Sequence, residues 1–124
     1  MFKSIQSLPE AELTVMQALW QCSAPATRGE IETAMRPKRS MAATTLLTLL
    51  GRLEQRGFVL VEKMGKNNVY TPLVSRRDYQ ASQSRRFLDR VFGGSVSAFA
   101  NALSEGALSE DELKQLKSLL GEDK

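Results

Sequence analysis

Residues 42–71 (AATTLLTLLGRLEQRGFVLVEKMGKNNVYT) change their hydrophobic period partway along, and that change limits what the chain can fold into. Leu46, Leu49, Leu50 and Leu53 recur at the spacing of one helical face. Thr45, Thr48, Arg52 and Gln55 share another face, short-chained at its start and cationic further on. Gly57 stands where a helix would end in a left-handed cap. Phe58 to Val61 and Val69 to Tyr70 then read as two strands. Residues 62–68 join them, with Gly65 and the Asn67-Asn68 pair as turn signals.

The flanking sequence supplies more helices. A hydroxyl stands three residues before a carboxylate at Ser7/Glu10, Thr27/Glu30, Ser75/Asp78 and Ser109/Glu112, the spacing of a capping box. Apolar periodicity follows each. The expected helices cover 9–21, 28–35 and 42–56, with Pro37 to Ser40 as the turn between the second and third. Three helices and a hairpin in this order make a winged helix-turn-helix, which offers one helix and a basic wing to DNA. The predicted fold is therefore mainly α with a small β-hairpin. A DNA-binding domain is expected over residues 1–74 and a helical dimerisation domain over 75–124.

That second segment predicts helices over 75–92, around 96–103 and around 113–120, broken at Gly93-Gly94 and Gly106. Their apolar residues are Phe87, Leu88, Val91, Phe92, Val96, Phe99, Leu103, Leu113, Leu116 and Leu120. Short amphipathic helices with no body of their own to cover need a partner chain, so these residues are assigned to a homodimer interface.

Composition removes several function classes. The chain has no histidine, so it offers no imidazole base, no Ser-His-Asp triad and no histidine metal site. Its one cysteine, Cys22, makes no internal disulfide and no metal cluster, and is expected to be a structural thiol at a helix end. There is no glycine-rich phosphate loop, so neither an enzyme nor a cofactor is expected. No apolar run has membrane-spanning length, and no leader pattern opens the chain, so a cytoplasmic location is expected. The net charge of +3 is unevenly spread. Residues 36–66 carry seven Lys/Arg against two carboxylates, and residues 91–124 carry three against six. A basic middle suits a polyanion, whose counterions it releases.

The segments TTLLTLLGRLE at 44–54, ELTVMQALW at 12–20 and YTPLVS at 70–75, with FGGS at 92–95 and LSEDEL at 108–113, resemble the penicillinase-repressor family (BlaI/MecI/CopY type). The resemblance spans nearly the whole chain. It implies a homodimeric repressor whose winged helix binds a palindromic operator and whose C-terminal helices hold the dimer. The positions matching the family's recognition residues are Ala42, Ala43, Thr44, Thr45, Thr48 and Arg52. Threonine can meet a phosphate, a base or a thymine methyl, and arginine a guanine or a phosphate. Lys38, Arg39 and Ser40 in the turn join this set. Lys63, Lys66, Asn67 and Asn68 on the wing would touch backbone or minor groove.

Two features depart from the family's pattern. The cysteine cluster of copper-responsive members is missing, which removes copper sensing by that route. The Asn-Phe bond at which β-lactam-responsive members are cleaved is also missing, and Ala102-Leu103 stands at the matching place. A sensor or protease that relieves repression is a partner implied by the resemblance alone. Two other readings are a regulator that binds a small effector at the dimer interface, lined by Phe87, Phe92 and Phe99, and a protein-docking module. The exposed Thr/Arg face argues against the second.

Overall fold

The computed structural model describes residues 5–121. Its elements are α1 (Glu10–Gln21), β1 (Ala26–Thr27), α2 (Arg28–Met35), α3 (Ala43–Gln55), β2 (Val59–Met64), β3 (Asn67–Pro72), α4 (Arg76–Phe92), α5 (Val96–Ala102) and α6 (Glu110–Leu119). The chain forms two compact units, residues 1–82 and 83–124, and the division falls within α4.

The first unit is built on the leucine stripe. Leu46, Leu50 and Leu53 of α3 are fully buried with Val15, Met16 and Leu19 of α1, Ile31 of α2, and Phe58 and Val59 at the start of the hairpin. Burying side chains of this size stabilises by about 1.5–3 kcal/mol each, which sets how α3 is rotated. The end of α3 is fixed by backbone geometry. Gly57 has φ of 81°, the N–H of Phe58 donates to the carbonyl of Leu53, and that of Gly57 donates to Glu54. Those two bonds make a Schellman motif, and Phe58 and Leu53, the two positions whose apolar side chains usually accompany it, are both buried.

The sheet has three antiparallel strands in the order β1-β3-β2. Met64 pairs with Asn67, so only Gly65 and Lys66 make the reversal, and Gly65 has φ of 66°. A positive φ at the first loop residue is what a two-residue hairpin of type II′ takes. The strands thus run further than the apolar residues alone predict, and Asn67 and Asn68 are β3 residues paired with Met64 and Lys63. β1, absent from the sequence-based expectation, pairs Ala26 with Tyr70 and Thr27 with Val69.

Of the four expected caps, two form complete capping boxes, Thr27 with Glu30 and Ser109 with Glu112. Ser75 Oγ accepts from the N–H of Asp78 at 3.0 Å. The fourth is corrected: α1 has Pro9 at its N-cap and no side-chain cap bond, because the helix starts two residues later than Ser7 spacing requires. The first turns of α4 belong to the first unit. Tyr79 is buried against the rings of Trp20 and Phe58, each with its centroid 5.8 Å away, and its hydroxyl accepts from the N–H of Leu8 at 2.9 Å. Trp20 Nε1 donates to the carbonyl of Val74 at 2.9 Å.

The second unit comprises the rest of α4, α5, a wide turn over 103–107 and α6. Gly93 and Gly94 both take positive φ after α4, and Ser95 caps α5 by accepting from the N–H of Ala98 at 3.0 Å. Gly106, at φ of 126°, breaks the wide turn. Phe87, Phe92 and Phe99 pack on one another with centroids 5.3–6.1 Å apart. None of the described residues of this unit is buried.

Candidate nucleic-acid interface

The face of α3 opposite its buried leucines carries Thr44, Thr48, Gly51 and Gln55, one helical turn apart. Thr45 and Arg52 flank it on one side and Leu47 on the other. All but Gly51, which is half-buried, are exposed. Ala42 is the N-cap of α3 and makes no side-chain cap bond. The first N–H groups of α3 therefore have no capping side chain, and with Ala42 and Ala43 exposed a phosphate oxygen can approach them closely. Thr48 is partly committed: its hydroxyl donates to the carbonyl of Thr44 at 3.0 Å. It keeps lone pairs and a methyl group for a partner rather than a proton.

The wing lies beside this face. Lys63, Lys66, Asn67, Asn68 and Tyr70 of the hairpin, with Thr27, Arg28 and Gly29 at the start of α2 and Leu47 of α3, line one open cavity of about 350 Å³. Lys63 and Asn68 are cross-strand partners, so the hairpin register brings these two together. Lys38, Arg39 and Ser40, in the turn before α3, are exposed. None of Lys38, Arg39, Arg52, Lys63 and Lys66 forms an ion pair among the described residues.

Two cations near this surface are engaged elsewhere. Arg56 is paired with the buried Glu12, and Arg28 with Glu32 at 2.8 Å. The basic segment is therefore not uniformly available. The sequence reading omitted Leu47, although a signal was present: among the leucines of 46–53, Leu47 alone is out of phase with the buried stripe.

The residues assigned to the partner interface all lie in the second unit. Phe87, Val91, Val96 and Leu120 are exposed, and Leu88, Phe92, Phe99, Leu103, Leu113 and Leu116 are half-buried. Among the described residues there is no helix long and apolar enough to cross a membrane and no cluster of potential metal ligands. Cys22 is half-buried at the C-cap of α1, and its Sγ donates to the carbonyl of Ala18 at 3.4 Å.

Residues 8–122 match the penicillinase repressor family. The chain is 32% identical to the penicillinase repressor of Bacillus licheniformis, over 98% of this chain and 95% of that one. It is 30% identical to the methicillin resistance regulatory protein MecI of Mammaliicoccus sciuri, over 91% of this chain and 92% of that one. Among solved structures it resembles the monomeric form of Bacillus licheniformis BlaI in complex with the blaP half-operator. That match has 31% identity and a TM-score of 0.50, and covers 60% of this chain and 90% of that one.

Proposed function

The chain belongs to the penicillinase repressor family, and on that premise we propose that two copies grip one two-fold operator and keep polymerase off the promoter it overlaps. It is a DNA-binding transcriptional repressor with a winged helix, not an enzyme. The observation that carries the DNA-reading surface is a coincidence of position. The face of α3 that takes no part in the core adjoins the exposed, unpaired cations of the turn and wing.

Residues 1–74 supply that surface. Thr44, Thr45, Thr48 and Arg52 meet base edges in the major groove, with Ala42 and Ala43 letting the backbone come close. Lys38, Arg39, Ser40, Lys63, Lys66, Asn67 and Asn68 meet phosphates and fix the register. Residues 75–124 supply the dimer, in which the exposed apolar faces of α4 to α6 cover each other. One winged helix contacts few base pairs, and two joined by a two-fold axis read two half-sites. Induction then amounts to weakening the dimer. A sensor or protease could do this, acting in the cytoplasm on a bond other than Asn-Phe.

The test is fluorescence anisotropy with duplex DNA from upstream of the chain's own gene, a scrambled duplex beside it, and a range of salt. The expected result is selective binding by two protomers that weakens on the order of a thousandfold between 50 and 200 mM salt. Arg52→Ala weakens it by about tenfold or more. Equal weak binding to both duplexes at low salt would overturn the operator reading. Full affinity in Arg52→Ala would leave the repressor and remove the recognition face.

A further inference from the structure

Leu47 is a large aliphatic side chain, 47% exposed, in the middle of the helix that the fold offers to DNA. It contributes nothing to the buried stripe of α3, whose members are Leu46, Leu49, Leu50 and Leu53. It lies on the wing side of that helix, at the wall of the cavity formed with Lys63, Lys66, Asn67 and Asn68. An isolated exposed leucine needs no explanation on an ordinary surface. This one is surrounded by groups suited to a polyanion.

Its neighbour one turn on sharpens the point. Gly51 is inside the helix, where glycine destabilises relative to alanine. Its φ is not positive, and a Cβ built there meets nothing within 4 Å. Neither the backbone nor the packing of this chain requires glycine at 51. The space it leaves opens beside Leu47 on the outward face. Thr48, also adjacent, has its hydroxyl proton committed to Thr44 and presents its methyl. This part of α3 is poor in hydrogen-bond donors and rich in methyl groups.

The major groove has one apolar feature, the 5-methyl group of thymine. Building on the DNA-binding reading above, we propose that Leu47 is a specificity-determining residue that reads a thymine methyl in each half-site, in the space left open by Gly51. Leucine has no donor or acceptor. Against guanine, adenine or cytosine it would strip water from polar edges and return nothing, so it both favours T·A and rejects the alternatives.

The probe is the duplex that the full-length protein selects from a randomised pool. Each thymine of both half-sites is replaced in turn by deoxyuridine, which removes only the methyl group. The parent and Leu47→Ala are titrated against each duplex. At one symmetric position, deoxyuridine is expected to weaken the parent about fourfold per half-site, the factor one buried methyl group is worth. Leu47→Ala is expected to show no loss at that position. Leu47→Arg is expected to select G·C there, because arginine takes guanine. Leu47 is exposed, so the variants should melt with the parent, which a thermal scan checks. If the parent selects a sequence but every deoxyuridine affects parent and Leu47→Ala alike, the assignment of Leu47 is overturned and the repressor stands. If the parent selects no sequence at all, the DNA-binding reading fails and this assignment falls with it.

Discussion

Glu12 is 2% exposed in a core otherwise made of aliphatic and aromatic side chains. Its carboxylate is held by Arg56, with Nε 2.5 Å from Oε1 and Nη2 3.4 Å from Oε2, and Arg56 also donates to Gln6 at 3.0 Å. A carboxylate taken out of water without a partner is strongly destabilising, so Arg56 is a structural cation. Arg52, one turn earlier, has no such partner among the described residues and faces solvent. The two arginines should separate cleanly. Arg56→Met is expected to lower stability by about 3 kcal/mol, read from urea unfolding. Arg52→Ala should stay within about 0.5 kcal/mol of the parent while losing DNA affinity. A mild Arg56→Met would mean that Glu12 finds water or another donor. Cys22 makes a second residue-level test. Burial pushes its thiol pKa up, and the charge of Glu30 adds to that. The thiolate is the reactive form, so at neutral pH the folded chain holds less of it than the unfolded chain. Iodoacetamide should therefore modify the native protein more slowly than the urea-unfolded protein at the same pH, with the gap closing as pH rises through the native pKa. Faster native modification would mean that the thiol is activated in the fold and is not the structural thiol expected from the sequence.

At the scale of elements, α3 ends because Gly57 takes a conformation that other residues enter with strain. A Cβ at 57 would meet no atom within 4 Å, so Gly57→Ala tests that backbone preference alone. It should destabilise by about 1 kcal/mol in thermal or urea melts, and a neutral substitution would remove the cap as the cause. This signal was readable from sequence because it is local: a leucine stripe, then glycine, then the apolar run of residues 58–61. The bounds of α2, Arg28–Met35, were readable for the same reason, since Thr27 and Glu30 complete their box within four residues. What was not readable depends on distant partners. β1 is two residues long and exists only because Tyr70 and Val69 lie alongside it. Asn67 and Asn68 look like turn residues, yet Gly65 and Lys66 suffice for the reversal and the asparagines pair across the hairpin. Tyr79 lies in a segment expected to be part of the second domain. Its ring belongs to the first core because Trp20, Phe58 and the N–H of Leu8 all meet it there. The proposed reading face was half legible: the period of the leucines gives the outward side of α3, but only the placed wing shows that Leu47 is beside the hairpin.

At the scale of the whole molecule, the two units differ in how well each buries its apolar groups. The first has a core of fully buried side chains from three helices and a sheet. The second has none among its described residues, and Val96 and Leu119 are 66% and 84% exposed. A segment of this size cannot hold a fixed shape on so little burial, because ordering each residue costs about 1–2 kcal/mol in backbone entropy alone. In the proposed dimer a second copy supplies the missing cover and, in the same step, a second DNA-binding unit. Dimerisation and operator affinity should therefore be linked, with the linkage visible only on a full two-fold site. Phe99→Asp puts a charge among the three packed phenylalanines of the second unit. Sedimentation should show it monomeric at concentrations where the parent is dimeric. Its affinity for a single half-site should equal the parent's, because the reading face is unchanged. Its affinity for the full operator should fall by about 10²-fold or more, the factor that tethering two binding events typically provides. Equal losses on half-site and full site would place Phe99 in the stability of the chain rather than in the dimer. A monomer that still bound the full operator as tightly as the parent would break the link between the two units altogether.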